Sequence, residues 1–546
     1  MTDDRHDALT RREFLTRSAV AAGAAAGAGA ASGLAGLLKP FAVAAAPARV
    51  AARPLVYATR TETITLDPAQ NDFSYTQRAQ RPVYEPLVHY VADGKGGARI
   101  EPLLATEWRV SDGGRVYTFR LRSGVRFSDG APFDADAVKW NFDRVRAVNK
   151  GPAARLTVLD RVEVVDRQTV RLVLKAPFAA LLPTLTKVPY MISPSAQDRA
   201  EAGDFAQRWL NDHATGTGPY LLEQWVRGQQ ISYSRNPTYW RGWSGQHADR
   251  IVLRLVREPA TQRLLLETGE ADLADGISLV DVDPLKRQPA VVVEEVEAPS
   301  LVHIMMRMRG PLADPRFRQA MRAAFGYTSF VAGALLNKGR VPNGPIPKGA
   351  WAYDPALPAF RRDLTRARRL LAEVAPSQRT FTLQTISPFF PYYPQLAQIF
   401  QQNLAELGLT LSVDDLIDAA TFIGNIRTLD RGPDMYGWVV NPAFDDPHEF
   451  LFPVYHSSVA GTLQNYTFYK NPRVDALIDQ GATIVDQEKR RAIYAEAQRL
   501  LREDGPAVFC AQFFLVLGRS RKLQGFQAHP LLVAQPVDYW TLWVEA

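Results

Sequence analysis

The first half of the chain alternates apolar and polar residues over short stretches, and this predicts strands separated by turns. Residues 55–64 form a β-rich run that ends in the turn Leu66-Asp67-Pro68. Residues 100–130 alternate around two Gly-containing turns, which predicts a β-hairpin or meander. Two further amphipathic strands are predicted at 169–174 and 251–256.

Apolar residues at helical spacing predict helices between and after these strands. One helix is predicted over residues 77–89, with a break at Glu85-Pro86, and another over 133–145, opened by Asp134 or Asp136. Further helices are predicted at residues 261–268, 317–325, 365–374 and 393–407. Strands that alternate with helices favour an α/β protein with mixed sheets.

The first 46 residues have the layout of a twin-arginine export signal. Arg11-Arg12 is followed by Phe14 and Leu15 and then by an Ala/Gly-rich run over 18–38. Ala and Gly gain little from hydrocarbon, so this run is a weak membrane span, although a retained N-terminal anchor is the alternative. Small residues end at Ala46, which suits signal peptidase. We therefore expect cleavage near Ala46 and a periplasmic protein that is exported after it has folded.

Composition narrows the class of partner. Removal of the signal leaves about 500 residues, enough for two to three domains, and the net charge of +7 is mild for this length. The densest basic cluster, at 361–369, alternates with apolar residues at helical spacing, which is typical of a solvated helix face and not of a nucleic-acid-binding surface. The single cysteine, Cys510, cannot close an internal disulfide and is expected to be a small buried residue in a strand.

The chain lacks the common enzyme signatures. It has no Gly-x-Ser-x-Gly nucleophile elbow, phosphate loop, dinucleotide fingerprint or His-Glu-x-x-His pattern. The best metal candidate is the polar stretch 445–449, with His456 beyond it, but its spacing matches no known closed site. A polar turn with a helix cap explains these residues better. We predict no enzymatic activity, no cofactor and no metal site.

Aromatic residues are grouped in polar, Pro/Gly-rich loops, at 239–243, 389–393 and 438–444. Aromatic side chains in the loops of an exported protein are typical of the walls of a binding cleft. Loop anchors that pack on the core remain an alternative for each group.

Several segments, taken in order, resemble one protein family over nearly all of the mature chain. They are Tyr84-Glu85-Pro86-Leu87, residues 101–108 and 117–130, Gly216-Thr217-Gly218-Pro219-Tyr220, Asn236-Pro237-Thr238-Tyr239-Trp240, residues 314–320, and Tyr494 with Ala497-Gln498 before Asp504-Gly505-Pro506. Together they are similar to the extracytoplasmic solute-binding proteins of peptide and nickel ABC importers, known as family 5.

The resemblance implies an α/β, periplasmic-binding-protein-like fold of cluster C type, with two lobes, mixed sheets, a hinge and three domains. The implied boundaries are domain I at 47–96, 211–300 and 516–546, an inserted domain II at 97–210, and domain III at 301–515. A ligand would lie in the cleft between the lobes. The implied partners are the permease subunits of an ABC importer in the inner membrane, and the receptor would be a monomer.

The loop that binds the ligand amine in peptide-binding members of the family is altered here. Those members have Gly-Trp, an Asp three residues after the Trp that pairs with the ammonium group, and then Asp-Pro. In this chain Asn441 lies three residues after Trp438, and the loop to Asp446-Pro447 is two residues longer. An amide cannot neutralise an ammonium group, so a free-amino-terminus peptide is an unfavourable ligand in this register. The alternative is that Asp445 folds back and restores the charge.

Other ligand-binding residues are predicted from the resemblance and from the aromatic loops. They are Phe73, Tyr75 and Thr76 after the first strand, Phe389, Tyr392 and Tyr393, Arg427 as a partner of a ligand carboxylate, and Trp438 and Phe444 in the altered loop. A surface role is the alternative for Arg427.

The predicted function is a periplasmic receptor that captures a peptide or peptide-like solute and delivers it to an ABC importer. One alternative is the same role for a non-peptide solute, such as an opine-like conjugate, a sugar or a metal chelate. A periplasmic chaperone or hydrolase on the same scaffold is the other, and the absence of a catalytic constellation argues against it.

Overall fold

The computed structural model describes residues 53–94, 97–374, 376–388, 390–416, 418–462, 464–533 and 537–545. The predicted export signal at 1–46 and Phe389 lie outside the described residues. Within the described part, no helix is long and apolar enough to cross a membrane.

The strands are numbered in chain order. They are β1 (Leu55–Thr59), β2 (Val88–Ala92), β3 (Ala98–Pro102), β4 (Ala105–Ser111), β5 (Val116–Leu121), β6 (Leu159–Asp166), β7 (Thr169–Leu174), β8 (Tyr220–Val226), β9 (Gln230–Arg235), β10 (Arg250–Leu255), β11 (Leu273–Ala274), β12 (Val291–Met306), β13 (Gly339–Arg340), β14 (Thr380–Ile386), β15 (Thr410–Leu416), β16 (Met435–Val440), β17 (Ala507–Ser520), β18 (Leu523–Gln524) and β19 (Trp543–Val544).

The α-helices are numbered in the same way. They are α1 (Ser74–Gln80), α2 (Ala135–Val148), α3 (Leu181–Leu185), α4 (Gln207–Leu210), α5 (Pro259–Glu267), α6 (Val282–Lys286), α7 (Pro315–Ala324), α8 (Tyr327–Ser329), α9 (Leu364–Val374), α10 (Tyr393–Ala405), α11 (Ala419–Ile426), α12 (Pro447–Tyr455), α13 (Pro472–Thr483) and α14 (Gln487–Asp504).

The largest sheet of the described part runs through both halves of the molecule. Its order is β15-β14-β16-β12-β17-β11-β1-β10-β9-β8, with β13 beside β17. β1 pairs parallel with β10 and β11, whereas β12 pairs antiparallel with β16 and β17, so the sheet is mixed. A separate four-stranded antiparallel sheet has the order β4-β5-β7-β6.

Two long strands, β12 and β17, connect the two sides of the large sheet. Their pairing is interrupted by a register shift between Glu297 and Leu301. The side chain of Gln512 is buried at this point, and its Nε2 donates to the carbonyl of Ala298 at 2.9 Å. An irregular segment in the middle of two continuous strands is a place where a sheet can bend. It lies at the predicted boundary between domain I and domain III, between residues 300 and 301.

The buried residues form separate cores on the two sides. One core consists of residues between Leu301 and Ala511, and we call the part built around it the second lobe. The others lie beneath the four-stranded sheet, around β1, β9 and β10, and between α5, α6 and β11, and we call that part the first lobe. The predicted α/β class with two lobes and mixed sheets is confirmed, whereas the predicted domain boundaries stay predictions.

Most of the strands and helices predicted from periodicity are present. β1, β7 and β10 and the hairpin β4–β5 agree with the alternation, and α2, α5, α7, α9 and α10 agree with the helical spacing. Asp134, and not Asp136, caps α2, because its side chain accepts the Ala137 N–H at 3.1 Å. Cys510 is buried in β17 as predicted.

The prediction of a helix over residues 77–89 is wrong for most of its length. The helix α1 begins at Ser74 and ends at Gln80, and residues 88–92 form β2, which pairs antiparallel with β3. Pro82 lacks an N–H group, and Pro86 disfavours helical geometry at the residue before it. The partner strand β3 then determines the conformation, which the local pattern does not reveal.

Candidate ligand-binding site

The loop that follows β1 is anchored within the first lobe by a buried ion pair. Both carboxylate oxygens of Asp67 accept hydrogen bonds from the guanidinium of Arg144 at 2.8 Å. The loop leads to Phe73, which is exposed and lies 5.5 Å from the ring of Tyr75, centroid to centroid. Thr76 is fully buried. The three predicted ligand residues of this loop therefore occupy different environments, from solvent to interior.

Strand β16 positions Trp438 among aromatic residues of the second lobe. The Trp438 ring lies 6.2 Å from that of Phe422 and nearly parallel to it, and its Nε1 donates to Gln464 Oε1 at 3.0 Å. Gly437 packs directly on Tyr393, because a Cβ at this glycine would come within 2.6 Å of the Tyr393 ring. Tyr393 is thus buried in the core beneath the strand that carries Trp438.

The loop after β16 crosses from the second lobe to the first. Asn441 is exposed at the end of the strand, whereas Phe444 is buried. Phe444 joins the core beneath the four-stranded sheet together with Ala443 and Ala482, and the other buried members of that core lie between residues 69 and 191. The loop therefore inserts an aromatic side chain of one lobe into the core of the other.

Asp445 follows Phe444 and is held between the two lobes. Its backbone N–H donates to the hydroxyl of Tyr90 in β2 at 3.3 Å, and its Oδ1 accepts the backbone N–H of Trp351 at 3.3 Å. Burial raises the pKa of Asp445 to about 7, and the negative charge of Asp446 adds to this effect against the hydrogen bond from Trp351. No arginine, lysine or histidine of the described residues forms an ion pair with Asp445. It is a half-buried carboxyl group that has no counter-charge in the part of the chain that the structure describes.

The neighbouring Asp446 has a different environment. Its carboxylate accepts the His448 N–H at the start of α12 and forms two hydrogen bonds with Arg490 of α14, at 2.7 and 2.8 Å. Both side chains of this pair are buried. Asp446 is therefore a helix cap and a structural ion-pair partner, which agrees with the predicted polar turn and helix cap.

An arginine of the first lobe connects the loop after β1 with α12. Arg155 forms ion pairs with Asp72 and, at 2.8 Å, with Glu449 of the second lobe. Its guanidinium also lies 5.8 Å from the centroid of the Phe444 ring. Nearby, the backbone N–H of Ala179 donates to the Ala482 carbonyl at 2.8 Å across the same junction. The two lobes are thus in direct contact beside Asp445.

The charges around Arg155 change the pKa values of two neighbours. Burial raises the pKa of Asp72, but the attraction of Arg155 and Lys187 outweighs burial and lowers it below its usual value. Burial lowers the pKa of Lys187 to about 8, against the attraction of Asp72. A compact set of alternating charges therefore lies at the junction of the lobes.

The remaining predicted site residues lie apart from Asp445 in their contacts. Tyr392 is half-buried and its ring lies 5.3 Å from that of Phe390. Arg427 is exposed directly after α11. Tyr75 lines a narrow crevice with Arg78 and Trp225. In the part of the chain that the structure describes, no group of three or more His, Cys, Asp or Glu residues could hold a metal ion.

The family is determined by comparison with known proteins. The model of bacterial extracellular solute-binding proteins, family 5 (middle), matches residues 99–462. The chain belongs to this family. The resemblance to family 5 is thereby confirmed, and so is the predicted role as a solute-binding receptor.

Individual relatives cover nearly the whole chain. The probable D,D-dipeptide-binding periplasmic protein DdpA of Escherichia coli is 30% identical over 484 residues, which are 88% of this chain and 92% of that protein. The glutathione-binding protein GsiB of Pectobacterium atrosepticum is 29% identical over 504 residues, with 88% and 92% covered. The ABC transporter-associated periplasmic binding protein DppA of Helicobacter pylori, solved with the peptide STSA, has a TM-score of 0.78 at 24% identity and covers 90% of this chain and 98% of its own.

Sequence reasoning missed several residues of this junction. Arg155 lies 294 positions from Glu449, and nothing in its local pattern distinguishes it from a surface arginine. Tyr90 and Trp351 were not singled out either, although both contact Asp445. The sequence does contain a signal for Asp445 and Glu449. Both belong to the polar stretch 445–449, whose acidic residues resemble a metal site without matching its spacing.

Proposed function

We propose that the chain captures a peptide or peptide-like solute with a free ammonium group between its two lobes and delivers it to the permease of an ABC importer. The observation that carries this proposal is Asp445, a half-buried carboxyl group that contacts elements of both lobes and has no cationic partner among the described residues. An ammonium group would supply the missing charge.

Asp445 is a better partner for this group than Asn441. Asn441 lies at an exposed strand end, where an amide adds no charge. A buried carboxylate is costly unless it is paired, so the binding of a cation beside it is stabilising. The names of relatives agree with a peptide-like solute, since they bind D,D-dipeptides and glutathione according to their descriptions.

The test compares D-Ala-D-Ala, L-Ala-L-Ala and glutathione with their N-acetylated forms by calorimetry. Asp445→Asn should weaken binding of the free-amine ligand by about 3–5 kcal/mol, because it leaves a buried ammonium group without a counter-charge. The N-acetylated form should bind weakly to both proteins. Asp430→Asn, which changes an exposed acid of the second lobe, is the matched control and should have no effect.

The variant Asn441→Asp tests the alternative that Asn441 binds the ligand amine. If Asn441 occupies the amine position, this change should tighten dipeptide binding and Asp445→Asn should matter little. Such a result would reject Asp445 as the ammonium partner and favour a neutral or non-peptide solute.

We infer further that the receptor reaches the periplasm by the twin-arginine route, with cleavage near Ala46, and acts as a monomer without turning its ligand over. The Arg11-Arg12 pair and the small residues before Pro47 support the route. Arg11→Lys combined with Arg12→Lys should abolish export, measured by fractionation; a normal periplasmic yield of that double variant would refute it.

A further inference from the structure

A cavity of about 280 Å³ lies in the first lobe between the hairpin β2–β3, the segment around Tyr190 and the C-terminal segment after Gly525. Its lining is unusually rich in charge, with three arginines, two carboxylates and two histidines. Such a volume accommodates a small ion or the end of a larger ligand.

Two of the arginines have carboxylate partners. Arg99 donates to Glu101 at 2.8 Å, and Arg241 lies 3.4 Å from Asp538. Burial raises the pKa of Asp538, but the combined attraction of the guanidinium groups of Arg81 and Arg241 and the hydrogen bond from the Trp540 N–H help to lower it below its usual value. Asp538 is therefore the shared counter-charge of two guanidinium groups.

Arg81 is the arginine that is left without a direct carboxylate contact. Its side chain is buried, and among the described residues no Asp or Glu forms an ion pair with it. Its Nη2 lies 3.3 Å from Nδ1 of His89. Burial and the adjacent Arg81 lower the pKa of His89 to about 3, so this imidazole is neutral and accepts a hydrogen bond from Arg81. The net charge of the lining is thus positive.

An unsatisfied polar atom lines the same cavity. His529 is 7% exposed, and its Nδ1 has no hydrogen-bond partner among the described residues. Buried polar atoms are nearly always paired, and an unpaired one costs about 1–3 kcal/mol. A buried guanidinium without a direct carboxylate contact and a buried, unpaired imidazole nitrogen therefore line one cavity.

We propose that this cavity binds a small oxyanion, a carboxylate or phosphate group, through Arg81 and His529. The guanidinium of Arg81 matches two oxygens of such a group, and the neutral imidazole of His529 can donate one further hydrogen bond. The anion is either free or the acidic end of the transported solute. Tyr90 lines the cavity and also contacts Asp445, so the cavity adjoins the proposed amine site. The oxyanion site does not depend on the assignment of Asp445.

The experiment titrates the mature protein with sodium phosphate, sodium acetate and D-Ala-D-Ala by calorimetry at constant ionic strength. Arg81→Gln and His529→Phe are compared with Arg368→Gln, which removes an exposed arginine of α9. Thermal unfolding of each variant identifies those that fail to fold. If Arg81→Gln does not fold, His529→Phe and Arg81→Lys provide the answer.

If the site binds free anions, phosphate or acetate should bind the unmodified protein, Arg368→Gln and Asp445→Asn with similar affinity. The same anion should bind Arg81→Gln and His529→Phe at least tenfold more weakly. A site for the acidic end of the solute predicts the same tenfold loss for D-Ala-D-Ala and no such loss for its C-terminal amide. If neither the anions nor D-Ala-D-Ala distinguish these two variants from Arg368→Gln, the proposal is wrong. Loss of dipeptide binding in Asp445→Asn with phosphate binding intact would separate this site from the proposed amine site.

Discussion

Asp445 should give the ligand-free protein an unusual dependence of stability on pH. Its pKa is about 7 in the folded chain, whereas an unfolded aspartate titrates near its ordinary value, so the folded state binds the extra proton between these limits. The contribution of Asp445 therefore falls as pH rises from about 4 to 7. Asp445→Asn should remove this dependence and stabilise the protein at pH 8 by up to about 4 kcal/mol.

Urea unfolding of both proteins at pH 5 and pH 8 measures this difference. At pH 5 the variant should gain less than at pH 8, because the wild-type carboxyl group is already protonated there. Equal stabilisation at both pH values would mean that Asp445 titrates normally in the folded protein. Binding of a cationic solute should release the proton, so that affinity for a free-amine dipeptide falls below pH 7.

The environments of single side chains were harder to predict from the sequence than the elements or the fold. Counting from Trp438 assigns Asn441 to the amine position, but the count does not reveal that the loop brings Phe444 into the first lobe and Asp445 into contact with Tyr90. The length of the loop was visible in the sequence, whereas the direction in which it folds was not. Tyr393 shows the same limit, since only the close approach of Gly437 reveals that it packs beneath β16.

The helices α12 and α14 depend on each other through the pair Asp446–Arg490. Asp446→Asn keeps the cap at His448 but leaves a buried guanidinium without its charge partner. The free energy of unfolding should fall by about 3–5 kcal/mol, measured by denaturant titration. Glu496→Gln, which removes an exposed partner of Arg473, is the control and should cost less than about 1 kcal/mol.

A similar small cost for both variants would show that Asp446 and Arg490 are hydrated in solution. The double variant Asp446→Asn with Arg490→Met should recover part of the loss, because it removes the unpaired cation together with its partner.

Elements defined by local periodicity were predictable, and elements defined by a distant partner were not. β7 and β10 alternate clearly, and α9 has Ala367, Leu370 and Leu371 on its buried face. By contrast, residues 88–92 become a strand because β3 lies beside them. The break in pairing between β12 and β17 does have a local signature, because Pro299 lies within it and cannot donate to a neighbouring strand.

At the scale of the whole molecule, the contacts between the lobes determine how a solute is enclosed. The first lobe contributes Arg155, and the second contributes Glu449 and the inserted Phe444. The resemblance to family 5 predicted two lobes and a hinge, but the residues that join the lobes are far apart in the chain and could not be paired from it. Separation of the lobes would break these contacts, so we expect them to favour a closed arrangement.

Glu449→Gln isolates the charge of this connection. The amide oxygen can still accept the hydrogen bonds from Arg155 and from the Ala443 N–H, and Arg155 keeps Asp72 as its counter-charge. A partly buried ion pair is thus replaced by a hydrogen bond from the guanidinium to a neutral amide, which should disfavour the closed arrangement by about 1–2 kcal/mol. Because a solute enclosed between the lobes binds the closed arrangement, its affinity should fall by about 5- to 30-fold.

Small-angle scattering should show a larger radius of gyration for the ligand-free variant and compaction at saturating solute. Glu373→Gln, which removes an exposed partner of Arg369 within α9, should leave both quantities unchanged. If Glu449→Gln matches that control in affinity and in radius, the ion pair does not contribute to closure.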